Sequence, residues 1–325
     1  MYKIKENDPC LQGFRCSGVE GQDVGRYLNE ALTAAGLSVS VVAILNDTTG
    51  ALMSCAYQDP STRIGLILGT GTNACYLEKM ENVETVEGPR DGYMVINTEW
   101  GAFGDQGELD FLRTSWDLEL DAKTDNPGKQ TLEKMVSGMY LGELTRIMLL
   151  DLRTRGLILV GKDDVKTCLN TPGSLTTHHM CGVESDPLGE FSRCESVWRE
   201  LGVEEAAPED CFLLRSVCEA VSRRCSLLLS AGIAALLKKM DDKDVTIAVD
   251  GSLFRHHPHF GRKIEYRVQQ LMGAEYKFRI LMSQDGSGRG AAIVAAALQG
   301  SRDTGNQSGS TGVYFTSYIL SGYRT

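Results

Sequence analysis

Three short apolar runs in succession, at 64–68, 74–80 and 93–97, constrain this chain more than any other feature. The short turn 69–73 joins the first two as a hairpin, and Gly88-Pro89-Arg90-Asp91-Gly92 marks the next turn. Helical spacing then takes over, in long patterns at 130–155 and 211–240 with a mixed, loop-rich stretch at 156–210 between them. A strand at 245–249, a helix at 258–271, a strand at 276–282 and a helix at 288–298 complete the order. Consecutive strands followed by alternating helix and strand predict an α/β domain with a mixed sheet. With 325 residues and 42% hydrophobic content, the chain can bury a sizeable core.

The chain before residue 47 is different. Residues 23–35 have the apolar spacing of a helix (Val24, Tyr27, Leu28, Ala31, Leu32), stopped by Gly36, and 39–45 read as one buried strand. A lone helix–strand unit cannot bury both faces, so it needs a partner. Residues 1–12 have no clear pattern, and 300–325 are rich in Gly, Ser and Thr with no period before 313–320.

The chemistry concentrates at predicted element ends. Asn46-Asp47-Thr48 opens at the end of the 39–45 run, which suits Asp47 as a general base near a phosphate cradle. In Gly69-Thr70-Gly71-Thr72 the glycines permit close backbone approach and the hydroxyls suit phosphate oxygens. The same residues also make an ordinary tight hairpin. Gly251-Ser252 follows a strand in the same way, and Asp285-Gly286-Ser287-Gly288-Arg289-Gly290 precedes a helix whose N-terminus attracts anions or simply carries a cap. Asp47, Glu99 and Glu133 are the acidic candidates. In 97–105, polar groups beside Trp100 and Phe103 suit sugar hydroxyls, although such a run alone reads as a charged surface loop.

Several classes are disfavoured. No G-x-x-x-x-G-K-[ST] run, no G-x-G-x-x-G after a strand and no protein-kinase signature occurs. A net charge of −10 argues against nucleic acid as a partner. No segment is read as long and apolar enough to cross a bilayer, and the polar start lacks a signal-peptide core. Among ten cysteines there is no C-x-x-C pair; Cys211, Cys218 and Cys225 recur every seven residues and read as reduced thiols on one helix face, so a cytoplasmic location is expected. His256, His257 and His259 read as exposed imidazoles at a helix start and His178-His179 as loop residues, so no protein-held metal is expected.

Taken together, six motifs resemble the hexokinase/glucokinase family: 13–21, 45–48, 68–76, 97–105, 249–252 and 285–292, spanning Gly13 to about Leu298. The resemblance implies an actin-like, ribonuclease-H-like ATPase fold. It also implies ATP-dependent phosphorylation of a hexose such as glucose at its 6-hydroxyl, the first step of glycolysis, with ATP supplied as MgATP. Asp47 then takes the hydroxyl proton, and Asn46, Asn73, Glu99 and Glu133 hold the sugar. Gly69, Thr70 and Gly71 contact phosphates, and Gly251, Ser252, Gly286 and Ser287 match adenosine-side elements.

The departures matter too. The family's aspartate-glycine-glycine-threonine phosphate loop does not occur, and Cys10-Leu11-Gln12 stands where the family has tryptophan-threonine-lysine. The expected organisation is an unassigned 1–12, a remnant of the small lobe at 13–46, a complete large lobe at 47–299 and an irregular tail at 300–325. Impaired turnover is expected, the alternative being a catalytically silent protein that binds a sugar or a partner chain. A partner covering the partial small lobe would hide Leu28, Val41 and Ile44, which are otherwise expected to be exposed.

Overall fold

In the computed structural model the described residues are Gly18, 22–84, 90–162 and 166–303. The expectations for 1–12, for 13–17 and 19–21, for Gly88 and Pro89 of the second turn, and for the tail beyond 303, including the 313–320 pattern, lie outside them. Five strands form one sheet: β1 (Thr62–Leu68), β2 (Thr72–Lys79), β3 (Tyr93–Asn97), β4 (Asp244–Asp250) and β5 (Lys277–Met282). Helices come before, between and after them. They are α1 (Val24–Ala34), α2 (Asp47–Ala56), α3 (Ser115–Ala122), α4 (Thr131–Val136), α5 (Leu141–Thr154) and α6 (Thr177–Ser185). The chain continues through α7 (Ser192–Glu200), α8 (Pro208–Met240), α9 (Ser252–His256), α10 (Phe260–Met272) and α11 (Gly286–Asp303).

The sheet order is β3-β2-β1-β4-β5. A three-residue turn leaves β1 and β2 no choice but antiparallel pairing, with Leu68 opposite Thr72. β3 adds antiparallel to β2. The long helical excursion from α3 to α8 returns the chain to the start of the sheet, so β4 pairs parallel with β1, and β5 parallel with β4. The central strand is covered on both faces. On one side Ile64, Leu66 and Val249 meet α5, α8 and α10 through Leu144, Cys225 and Ile264. On the other, Cys75 and Val95 pack with Leu52 and Met53 of α2 and Val294 of α11. Because Ile67 stands opposite Asp250, the turns after β1 and β4 lie side by side at the carboxyl ends of parallel strands, where sheets of this kind place ligands.

The expected strands of the sheet are present, but several sequence expectations need correction. Residues 39–45 are not a strand; Asn29 on α1 takes the place of a neighbouring strand by receiving the Val41 N–H at 2.7 Å and donating to its carbonyl at 3.1 Å. Val41 is therefore half-buried, whereas Leu28 and Ile44 are exposed as expected. The 130–155 helix is two helices, broken where Gly138 turns to donate its N–H to the Gly69 carbonyl at 2.8 Å. The 258–271 helix begins later, at Phe260, after a separate α9, and the loop-rich 156–210 contains α6 and α7.

α8 corrects the expectation about apolar length. By length and composition it is long and apolar enough to cross a membrane, yet its apolar face is the centre of the core. Arg224 on the same helix donates to both Asp117 oxygens at 2.7 Å, which ties it to α3. Cys211, Cys218 and Cys225 are free and buried along it, as expected.

Candidate active site

Asp47 does not close a strand; it is the first residue of α2. Asn46 caps that helix, its amide oxygen accepting from the Thr48 N–H at 3.0 Å and the Thr48 hydroxyl at 2.5 Å. Apart from Asp47 itself, every residue of α2 is buried, so the helix is a fixed post with the carboxylate at its tip. Burial pushes the Asp47 carboxyl above its usual range and the charge of Asp250 adds to this, while the Thr48 and Asp47 N–H groups oppose it. Asp47 itself is exposed to solvent, so its carboxylate is accessible at the end of the buried helix.

From Asn46 a hydrogen-bonded arc runs across the end of β2 and β3. Asn73 Nδ2 reaches Asn46 Oδ1 at 3.5 Å, Asn97 Oδ1 at 2.8 Å and Glu99 Oε1 at 3.1 Å. Asn97 Nδ2 donates to the same Glu99 oxygen at 2.5 Å. Glu99 adopts a left-handed conformation, φ 47°, which turns the chain out of β3. The carboxylate of Glu133, buried on α4, accepts the Thr72 N–H at 3.0 Å, beside Asn73. Burial raises the Glu133 carboxyl and the neighbouring Glu99 charge raises it further, against the Thr72 hydrogen bond. Trp100 Nε1 donates to Thr72 Oγ1 at 3.1 Å, while its ring lies against Gly232 of α8 and the core. Clustered amide and carboxylate groups of this kind suit a polyol.

The glycine turns meet elsewhere in the site. Gly251 has φ 124°, and a Cβ there would stand 2.2 Å from the Leu68 carbonyl oxygen, so only glycine lets β4 turn this close to β1. Gly69, Thr70 and Ser252 line a cavity of about 250 Å3 with Thr177 and Cys181 of α6 and His256 of α9. Gly71 braces the turn, its carbonyl accepting the Gly69 N–H at 3.0 Å. Asp250 spends its oxygens on the Gly251 N–H at 2.7 Å and the Gly286 N–H at 2.8 Å, which joins the second and third glycine turns.

The candidate residues therefore fall into groups. Asn46, Asn73 and Glu99 form one connected arc, with Glu133 beside it. Gly69, Thr70 and Ser252 share the larger cavity. Ser287 is not in that cavity; it lines a smaller hollow of about 170 Å3 with Asn46 and Asp47. Sequence reasoning missed Asn97, which bridges Asn73 and Glu99; its place at the end of β3, two residues before Glu99, was the available signal. The histidine expectation is corrected as well. His257 is buried and faces Glu184 at 3.2 Å, and His178 and His179 lie on α6 rather than in a loop.

A family model described as hexokinase matches residues 63–297, and a second hexokinase model matches 10–57. Hexokinase-2 of Rattus norvegicus is 43% identical over 303 residues, covering 91% of this chain and 32% of that protein. Hexokinase-3 of the same species is 44% identical over 291 residues, covering 87% of this chain and 31% of that protein. The chain thus spans about a third of the length of these relatives. A solved hexokinase from Schistosoma mansoni, complexed with glucose, superposes with a TM-score of 0.82 at 42% identity, over 88% of this chain and 64% of that one.

Proposed function

We propose that this chain, which belongs to the hexokinase family, transfers the terminal phosphoryl group of ATP to the 6-hydroxyl of a hexose such as glucose, with Asp47 as general base. Its fold is the actin-like, ribonuclease-H-like ATPase fold of that family. One observation carries the reading: Asp47 stands at the tip of a buried helix, next to an arc of amides and carboxylates fit for sugar hydroxyls.

In this mechanism Asn46, Asn73 and Glu99 hold the ring, with Glu133 beside them, and Asp47 receives the 6-hydroxyl proton as that oxygen attacks the terminal phosphorus. ADP departs with the electron pair of the broken P–O bond. Most of the catalysis in such a transfer is positioning and charge stabilisation. A carboxyl raised above its ordinary range is a better proton acceptor than a free aspartate. The turns at Gly69–Gly71 and Gly251-Ser252 offer the nucleotide its backbone contacts. Magnesium belongs to the MgATP substrate. Asp250 is committed to two backbone N–H groups and to Arg255, whereas Asp47 is exposed.

A coupled ATP/glucose assay on the purified chain, with glucose binding measured alongside, tests this. The expected outcome is turnover that Asp47→Asn lowers by about 10^2- to 10^4-fold while glucose binding persists. Glucose-induced thermal stabilisation without turnover would overturn the kinase reading and leave a sugar-binding protein.

A further inference from the structure

We infer that the buried Glu184–His257 pair fixes the width of the larger cavity and is a positioning device for the nucleotide. This rests on the kinase reading above, because it assigns ATP to that cavity.

The cavity has two helical walls. α6 contributes Thr177 and Cys181, and α9 contributes Ser252 and His256. At one end the walls are held by the hairpin: Thr177 Oγ1 donates to the Gly138 carbonyl at 2.6 Å, and the Gly138 N–H donates to the Gly69 carbonyl at 2.8 Å. Gly69 in turn packs against Ser252, the first residue of α9; a Cβ on Gly69 would lie 3.5 Å from the Ser252 nitrogen. At the other end α6 presents Glu184 and α9 runs into His257. Glu184 Oε1 and His257 Nε2 meet at 3.2 Å, with the two side chains 0% and 1% exposed. This pair ties the far ends of the two walls together, with the His259 contact to the Glu184 carbonyl beside it.

The chemistry of the link is specific. The His259 N–H donates to His257 Nδ1 at 3.2 Å, so Nδ1 is an acceptor and the ring proton lies on Nε2, facing the carboxylate. His259 Nε2 sits 3.0 Å from the Glu184 carbonyl oxygen. Glu184 Oε2 receives Lys263 of α10 at 3.3 Å, and the same ammonium reaches Ser222 of α8 at 3.4 Å. The His257 ring also stacks on Phe260 at 3.8 Å. A carboxylate this deeply buried is costly unless its oxygens are satisfied, so these donors fix where the end of α6 can rest. Neither Glu184 nor His257 lines the cavity. They act through Thr177, Cys181 and Ser252.

The discriminating variant is His257→Phe, which keeps an aromatic ring against Phe260 and removes the donor to Glu184; His257→Gln restores a donor. MgATP and glucose affinities are each measured by calorimetry on the full chain, with melting temperature in parallel. The expected result for His257→Phe is a loss of MgATP affinity of at least about threefold, reaching roughly thirtyfold, with glucose affinity unchanged and most of the loss recovered in His257→Gln. Unchanged MgATP affinity would overturn the inference. So would equal losses for both ligands, which mark a merely structural role. Should His257→Phe not fold, Glu184→Gln carries the same expectation, because its NH2 replaces one of the two acceptor oxygens and so faces a donor, His257 or Lys263. If the parent chain binds no MgATP at all, the kinase reading itself fails.

Discussion

Gly290→Ala is the sharpest test of how the site is held. α2 and α11 cross at Gly50 and Gly290, and a Cβ on Gly290 would stand 2.0 Å from the Gly50 carbonyl oxygen and 2.6 Å from its C and Cα atoms. Ordinary contact starts at 3.4 Å, so the helices must separate by about 1.4 Å. Every atom in the way is backbone and cannot rotate aside. Overpacking of this kind costs about 1–3 kcal/mol, and the better helix propensity of alanine returns up to about 1 kcal/mol. The net loss of about 1–2 kcal/mol lowers the melting temperature of a chain of 325 residues by about 1.5–3 °C. The functional loss is larger in proportion, because α2 carries Asp47 at its tip and α11 carries Ser287 beside it. Misplacing a catalytic group by about 1 Å can cost about 10^2-fold in rate. Differential scanning fluorimetry and the coupled assay read the two effects separately. Gly182→Ala on α6 is the control, since a Cβ there meets nothing within 4 Å, and it should stabilise by up to about 1 kcal/mol. A Gly290→Ala protein as stable and active as its parent would refute the argument.

Two further predictions concern pH. Burial raises the Asp47 carboxyl, so turnover should fall on acidification with a midpoint above the ordinary aspartate value; a plateau extending below pH 4 would contradict the proposed base. At the opposite end of β1, hydrogen bonds from the Ser61 hydroxyl, the Thr246 hydroxyl and the Ser61 N–H hold Asp59 down at about 2. A depressed carboxylate stabilises the fold above its unfolded value near 4, and that contribution fades as the pH falls from about 4 to 2. Asp59→Asn should therefore flatten the stability profile in that window, as followed by denaturant titration at each pH.

The sheet was legible because its signals are local. The runs forming β1, β2, β3, β4 and β5 are apolar, short and bounded by turn residues, and a three-residue turn permits only one pairing of β1 with β2. The candidate residues were legible as types in motifs, and Asn46, Asn73 and Glu99 do come together. α2 was not legible, because Thr48 to Ala56 is buried on every side and so shows no apolar stripe with helical period. Residues 39–45 failed the other way. Their apolar pattern fits a strand, but the groups that satisfy Val41 belong to the side chain of Asn29, and no local rule foresees that.

The sequence by itself determined the strands of the sheet, the turns that only glycine can make and the family to which the chain belongs. Those properties depend on near neighbours along the chain, where spacing and steric limits act directly. Tertiary structure alone decided that Asp47 tips a buried helix, that Asn97 links Asn73 to Glu99, and that His257 is locked on Glu184. Each depends on groups far apart in sequence whose meeting is set by the packing of α2, α6, α9 and α11 around the sheet, and burial then fixes both their charge and their aim.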